Sequence, residues 1–159
     1  EYPGPALVRY PRGSGTGTVP DMDLKALPIG KGEITRQGQQ IAFLAFGNLL
    51  AHAETLGNQF NATVVNMRFA KPLDLALLEN VAKSHDLIIT FEENAVTGGA
   101  GSEVQRALQS LNLHRPYLRI GLPDTFIEHG DMVNLYKSAG LDLDTLSHRI
   151  EQFITSIQN

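Results

Sequence analysis

The sequence predicts an α/β protein of three layers, α/β/α, built on a five-stranded, mostly parallel sheet with one antiparallel strand. Three observations carry that expectation. Short runs of β-branched and aromatic residues alternate with longer segments whose apolar residues recur at helical spacing, the pattern of strands joined by crossover helices. Residues able to cap a helix stand in front of several of those segments. One run, residues 86–102, passes from an apolar strand through an acidic, glycine-rich turn towards a helix.

Residues 1–30 differ from the rest. Residues 6–10 (Ala-Leu-Val-Arg-Tyr) make a short strand candidate, and residues 13–20 (Gly-Ser-Gly-Thr-Gly-Thr-Val-Pro) are a linker by composition. This stretch is expected to be the tail of a preceding domain plus its linker; a terminal arm of the same domain is the other reading. Residues 31–159 form the α/β domain. Residues 33–36 and 40–46 flank Gln37-Gly38-Gln39 and are expected to pair as a hairpin, which supplies the antiparallel strand. Leu49, Leu50, Ala53, Leu56 and Phe60 then share one helical face. Residues 63–67 are the next strand. Asp74 is placed to cap a helix that carries Leu75, Leu78 and Ala82, with Pro72 just outside it. Residues 87–91 and 117–120 complete the strands. Between them, Ser102 and Gln105 have the spacing of a capping box ahead of Val104, Ala107, Leu108 and Leu111. Asp131 and Asp144 open two closing helices, the second with Leu146, Ile150, Phe153, Ile154 and Ile157 on one side. No internal repeat is present.

At 159 residues the chain is one ordinary domain, long enough to bury roughly 70% of its unfolded surface. Hydrophobic residues at 42% and charged residues at 19% fit a soluble globular protein. With no cysteine there are no disulfides and no thiolate zinc sites. A net charge of −4 argues against a nucleic-acid partner. No apolar run is long enough to span a membrane and no signal-peptide pattern opens the chain, so a cytoplasmic location is expected. The chain begins at Glu1 without methionine, which reads as a fragment.

Ligands of open α/β sheets gather beyond the carboxyl ends of the strands. Residues 67–69, 92–94 and 122–124 fall on that edge, as candidate site groups or as the polar caps that any such sheet requires. Glu92 and Glu93 are adjacent on a strand and point to opposite faces, so they cannot act as a carboxylate pair on one bond. The turn at 98–101 (Gly-Gly-Ala-Gly) either cradles a phosphate on backbone amides or lets a helix start close to the sheet. It has neither the dinucleotide fingerprint nor the lysine of a P-loop. Histidines 52, 85, 114, 129 and 148 show no metal-ligand spacing; His129 lies in a loop. Arg9 and Arg12, at the end of the first strand candidate, have the guanidinium chemistry to grip a phosphate.

Several stretches together resemble the 1-deoxy-D-xylulose-5-phosphate synthase family, thiamine-diphosphate enzymes related to transketolase. They are residues 8–13 (Val-Arg-Tyr-Pro-Arg-Gly), 28–32 (Pro-Ile-Gly-Lys-Gly), 44–47 (Leu-Ala-Phe-Gly), 62–74, 92–102 and 120–124 (Ile-Gly-Leu-Pro-Asp). The resemblance covers nearly the whole chain. It implies a transketolase C-terminal-domain-like fold over 31–159 and the tail of a pyrimidine-binding domain over 1–30. For the full-length enzyme it implies condensation of pyruvate with glyceraldehyde 3-phosphate, with release of carbon dioxide. It also implies thiamine diphosphate and magnesium, a homodimer, and a place in isoprenoid, thiamine and pyridoxal precursor synthesis in the bacterial cytoplasm or a plastid. The family places its magnesium-binding Gly-Asp-Gly…Asn pattern and its activating glutamate in upstream domains, so no cofactor ligand and no catalytic residue is expected here. The fragment alone is then inactive. Arg12 matches the family arginine that binds the phosphate of the aldehyde, with Arg9 as its companion. The other readings are the C-terminal domain of transketolase or of a pyruvate dehydrogenase β subunit, or a stand-alone phosphate-binding or interaction module.

Overall fold

The computed structural model describes residues 3–5, 7, 19, 22–23 and 25–158. The strand candidate at 6–10 lies largely outside the described residues. From residue 33 the elements are β1 (Glu33–Arg36), β2 (Ile41–Phe46), a 3-10 turn (Gly47–Leu49), α1 (Leu50–Gln59), β3 (Thr63–Asn66), α2 (Leu75–Ser84), β4 (Leu87–Ala95), α3 (Ala100–Ser110), β5 (Tyr117–Leu122), α4 (Met132–Ser138) and α5 (Leu143–Gln158). The five strands form one sheet in the order β1-β3-β2-β4-β5. Strands β2 to β5 are mutually parallel and β1 is antiparallel to β3.

Alternation along β2 divides the core in two. Phe43 and Ala45 face Leu49, Ala53 and Leu56 of the 3-10 turn and α1, with Leu146 and Ile150 of α5. Ala42, Leu44 and Phe46 face Leu78 and Val81 of α2 and Val104 and Leu108 of α3. Both faces of the central strand are therefore dry, as covered parallel sheets require. The Phe43 and Phe91 rings meet at 5.0 Å between centroids, tilted by 58°, and each such buried side chain contributes roughly 1.5–3 kcal/mol.

The sheet corrects the expected hairpin. Strand β3 lies between β1 and β2, and Glu33 stands opposite Asn66, the last residue of β3. Both edges of β2 are taken by parallel partners, and the 37–40 connection is tied to the start of β3. Gly38 N donates to Thr63 Oγ1 at 3.0 Å, Gln39 N to Asn61 O at 2.8 Å, and Arg36 Nη1 to Ala62 O at 2.6 Å. A Cβ on Gly38 would sit 2.2 Å from the Ala62 carbonyl carbon. Only glycine lets the connection cross there. His85 locks the same corner: its Nδ1 is 2.8 Å from Val81 O and its Nε2 is 2.7 Å from Thr63 Oγ1. Because a carbonyl can only accept, Nδ1 carries a proton and donates it to Val81 O.

Helix starts separate the expectations further. Asp74 caps α2, accepting from Leu77 N at 3.2 Å, and Asp131 caps α4, accepting from Asn134 N at 3.1 Å. Helix α5 begins one residue earlier than expected, and its cap is Asp142, which accepts from Thr145 N at 3.1 Å; Asp144 lies in the first turn. Leu75 is half exposed, and the buried face of α2 is Leu78, Val81 and Ala82. Ile157 likewise points to solvent. Strand β4 runs on through Glu92, Glu93 and Asn94 to Ala95, four residues past the expected strand of 87–91.

Candidate functional site

The connections that leave β2 and β4 diverge. After β2 the chain turns into α1 on one face, and after β4 it turns into α3 on the other. Two adjacent parallel strands whose crossovers part in this way leave a crevice beyond their carboxyl ends, the usual ligand position in open α/β sheets. Gly47, at φ +73°, starts the turn after β2, and the nearest atom to a Cβ placed there would be Glu93 Oε2 at 3.9 Å. The Tyr136 hydroxyl of α4 donates to Glu93 Oε1 in a short hydrogen bond. The His52 ring of α1 stands edge-on to Tyr136 with centroids 5.4 Å apart.

Burial lowers the His52 pKa, against the pull of Glu93 and Asp142 in the opposite direction. Burial raises the Tyr136 phenol well above its ordinary value, and the adjacent Glu93 adds to the shift. The phenol therefore holds its proton near neutral pH. The cluster is a tether between α4 and the end of β4, with one hydrogen bond from a neutral phenol to the Glu93 side chain at its centre.

Glu92 takes the other face, as alternation along β4 demands. It is fully buried, and its carboxylate accepts from Ala100 N at 2.6 Å and from Gly101 N at 2.9 Å. These are the first two amides of α3, so a buried side chain from the sheet satisfies the positive end of the helix. The capping-box expectation is thereby corrected. Helix α3 starts at Ala100, and Ser102 sits inside its first turn, accepting from Arg119 Nη1 at 2.9 Å and donating to Val96 O at 2.9 Å. The phosphate-cradle reading of residues 98–101 fails for the same reason, because Glu92 already occupies the amides that would hold the anion. A Cβ on Gly99 would lie 2.2 Å from Glu92 Oε2, and one on Gly101 would lie 2.6 Å from Thr90 Oγ1 and 3.0 Å from Glu92 Oε1. The glycines make room for a carboxylate, not for a ligand. Tyr117 closes the corner, its hydroxyl donating to Gly101 O at 2.6 Å, and burial raises its pKa above the ordinary phenol value.

The remaining sequence-predicted groups are placed as follows. Arg68 pairs with Glu33 at 2.5 Å across the β1 edge. Asp124 lines a shallow, open groove of about 280 Å³ formed by residues 122–127 and Ala95. It is the only ionisable side chain of that groove, so no acid–base pair faces the space. A second groove of about 450 Å³ between α3 and β5 includes Arg115, whose Nε already donates to Ala82 O and His85 O, each at 2.9 Å. His129 lies in the exposed loop after β5. Arg9 and Arg12 lie outside the described residues. Among the described residues no three His, Asp or Glu side chains converge to hold a metal ion. With the glycine turn filled as well, these residues do not fit magnesium or a diphosphate, and no chemistry of thiamine diphosphate is assigned to them. No helix among them is long and apolar enough to cross a membrane.

The Glu92 strut was not legible in the sequence. Its signal is a glutamate at the end of a strand with glycines seven and nine residues later.

Three comparisons bear on this arrangement. The family described as transketolase, C-terminal domain, matches residues 30–146. Two curated relatives, from Aromatoleum aromaticum and Dechloromonas aromatica, are both named 1-deoxy-D-xylulose-5-phosphate synthase. They are 59% and 55% identical to the chain over 139 residues, which is 87% of the chain. The chain spans 22% of the length of each of these relatives. Among solved structures, one described as a split gene transketolase, an inactive beta4 tetramer, superposes with a TM-score of 0.74 at 28% identity. That match covers 89% of the chain and 48% of the neighbour. A Pichia stipitis transketolase superposes with a TM-score of 0.54 at 14% identity, over 82% of the chain and 19% of that protein, and shares the fold alone.

Proposed function

Because the chain belongs to the transketolase C-terminal-domain family, and its sheet has the four parallel strands and single antiparallel edge strand expected of that fold, we propose that it is the C-terminal part of a longer thiamine-diphosphate-dependent synthase. The longer enzyme condenses pyruvate with glyceraldehyde 3-phosphate, releases carbon dioxide and yields 1-deoxy-D-xylulose 5-phosphate in the cytoplasm. The observation that carries this reading is the 59% identity to a relative of that name, combined with coverage of only 22% of its length. In this reading residues 1–30 finish a pyrimidine-binding domain. Arg12, with Arg9, holds the aldehyde phosphate, and upstream domains bind the cofactor and magnesium. Residues 31–159 supply packing and part of the homodimer surface, and alone they turn nothing over. The self-filled turn at Glu92 supports a packing role over a stand-alone phosphate-binding module.

The test is steady-state turnover of pyruvate and glyceraldehyde 3-phosphate by a polypeptide of the relatives' length that carries this chain. Arg12→Ala is expected to lower kcat/KM for the aldehyde phosphate about tenfold to a hundredfold, the equivalent of one or two charge-assisted hydrogen bonds. Unchanged kinetics remove Arg12 from the site. Preference for lipoyl groups or for sugar phosphates would replace the synthase with a pyruvate dehydrogenase β subunit or a transketolase.

A further inference from the structure

Helix α4 is held to the rest of the molecule by little. None of its residues is buried, and it meets the core through Tyr136 and Ala139. Residues 123–134, the loop and first turn ahead of it, are all exposed. Glycines bracket the helix, Gly130 before it and Gly140, at φ +67°, after it. Its polar link to the sheet is the hydrogen bond from the Tyr136 hydroxyl to Glu93. An element with so few buried contacts can lift while the core stays closed.

His52 is the group placed to control that link. Its ring stands edge-on to Tyr136, with centroids 5.4 Å apart. Two carboxylates act on it, Glu93 from the end of β4 and Asp142 from the connection into α5. Lys137 of α4 acts in turn on Asp142. A neutral imidazole suits this position, since burial disfavours the charge more than the two carboxylates favour it. A proton gained makes the ring a donor at both nitrogens. The acceptors in its field are then Glu93, already bound to Tyr136, and Asp142, whose Oδ2 is shielded from solvent and accepts no hydrogen bond from the described residues.

We propose that His52 is a proton-operated latch for α4. Neutral, it lies against Tyr136 and leaves the phenol bound to Glu93. Protonated, it draws the Glu93 carboxylate from the phenol, and α4 swings out together with the exposed 123–134 segment. Because the latched form prefers a neutral ring, the latch is complete above the ordinary histidine value of 6.5. It weakens as pH falls from there towards the lower value of the latched form.

NMR of the 159-residue chain across pH tests the latch. From about pH 7.5 to about pH 5.5, hydrogen-exchange protection of the Leu135 and Ala139 amides should fall at least about threefold, while that of Leu78 in α2 holds steady. In His52→Gln the fall should vanish. In Tyr136→Phe, which lacks the hydroxyl, α4 protection should be low at both values. The His52 midpoint in that variant, read from its own ring signals, should rise towards 6.5. A fall shared by α2 overturns the latch, because it reports general loosening by acid. A fall that persists in His52→Gln assigns the effect to another group, such as His129 in the exposed loop, and overturns it as well. Should His52→Gln not fold, an unmoved His52 midpoint in Tyr136→Phe overturns the coupling by itself.

Discussion

Helices α2 and α3 both start at the carboxyl end of the sheet and lie on the same face, yet their first amides are satisfied in different ways. Asp74 stands next to the helix it caps and reaches Leu77 N three residues along. Glu92 belongs to a strand and reaches Ala100 and Gly101, eight and nine residues along, from a fully buried position. The cap bond to Leu77 lies within its own segment, while the other oxygen of the Asp74 carboxylate accepts from Gly32 N ahead of β1. The second exists only when the end of β4, the glycine turn and α3 are all in place, so both of its helix bonds report on tertiary structure, as the Asp74–Leu77 bond does not.

The largest effect expected from this contrast is at Glu92. Glu92→Ala leaves two buried amides without partners and should cost about 3 kcal/mol of stability by urea denaturation, given roughly 1–3 kcal/mol for each unsatisfied group. Formate or acetate, small enough to enter the vacated position, should restore part of the loss. A cost under about 1 kcal/mol would mean that water replaces the carboxylate, and the contrast would disappear. Gly101→Ala comes next. Alanine normally favours a helix over glycine, but here its Cβ would press on the buried Thr90 hydroxyl and on Glu92, so a loss of about 1–3 kcal/mol is expected. A stabilised variant would show that α3 can shift away from the sheet.

The smallest effect is at Asp74. Asp74→Ala should cost about 1–2 kcal/mol, a lost cap together with the bond from Gly32 N. Burial alone would raise the Asp74 pKa, but the amides of Leu77 and Gly32 together with Lys31 outweigh it, and the pKa lies below the ordinary value of 3.8. A carboxylate whose folded value is depressed stabilises fully above its unfolded value and loses that contribution as pH falls through the folded one. The variant should therefore show a flatter decline in stability below about pH 4 than the wild type. An unchanged acid limb would assign the decline to other carboxylates.

Much of the fold was legible because it is written locally. The helical period of Leu49, Ala53 and Leu56, the apolar run of β2, and the caps at Asp74 and Asp131 are each decided within about ten residues, and the structure contains them all. The misreadings share the opposite property. Nothing in residues 33–46 shows that β3 will insert between two strands separated by four residues, because the decision lies in Thr63, Asn61 and Ala62. Ser102 has the right type and spacing for a cap, but a carboxylate ten residues earlier outcompetes it. At the switch-point crevice the sequence placed Glu93 on the correct edge, while His52 and Tyr136 came together through packing between α1 and α4, which no spacing encodes.

Strand β1 has one more consequence. Without it the sheet would end at β3, whose Thr-Val-Val-Asn run is a flat template of β-branched residues onto which another chain could zip. Strand β1 covers that template and is itself a poor one. It has four residues, Glu33 and Arg36 at its ends, and a slip in register between Ile34 and Arg36 that breaks any long straight ladder. The salt bridge from Arg68 to Glu33 and the bond from Arg36 to Ala62 O clip it down at both ends. The lone antiparallel strand thus acts as a selvedge, the finished border that shields the β3 side of the sheet from a second chain.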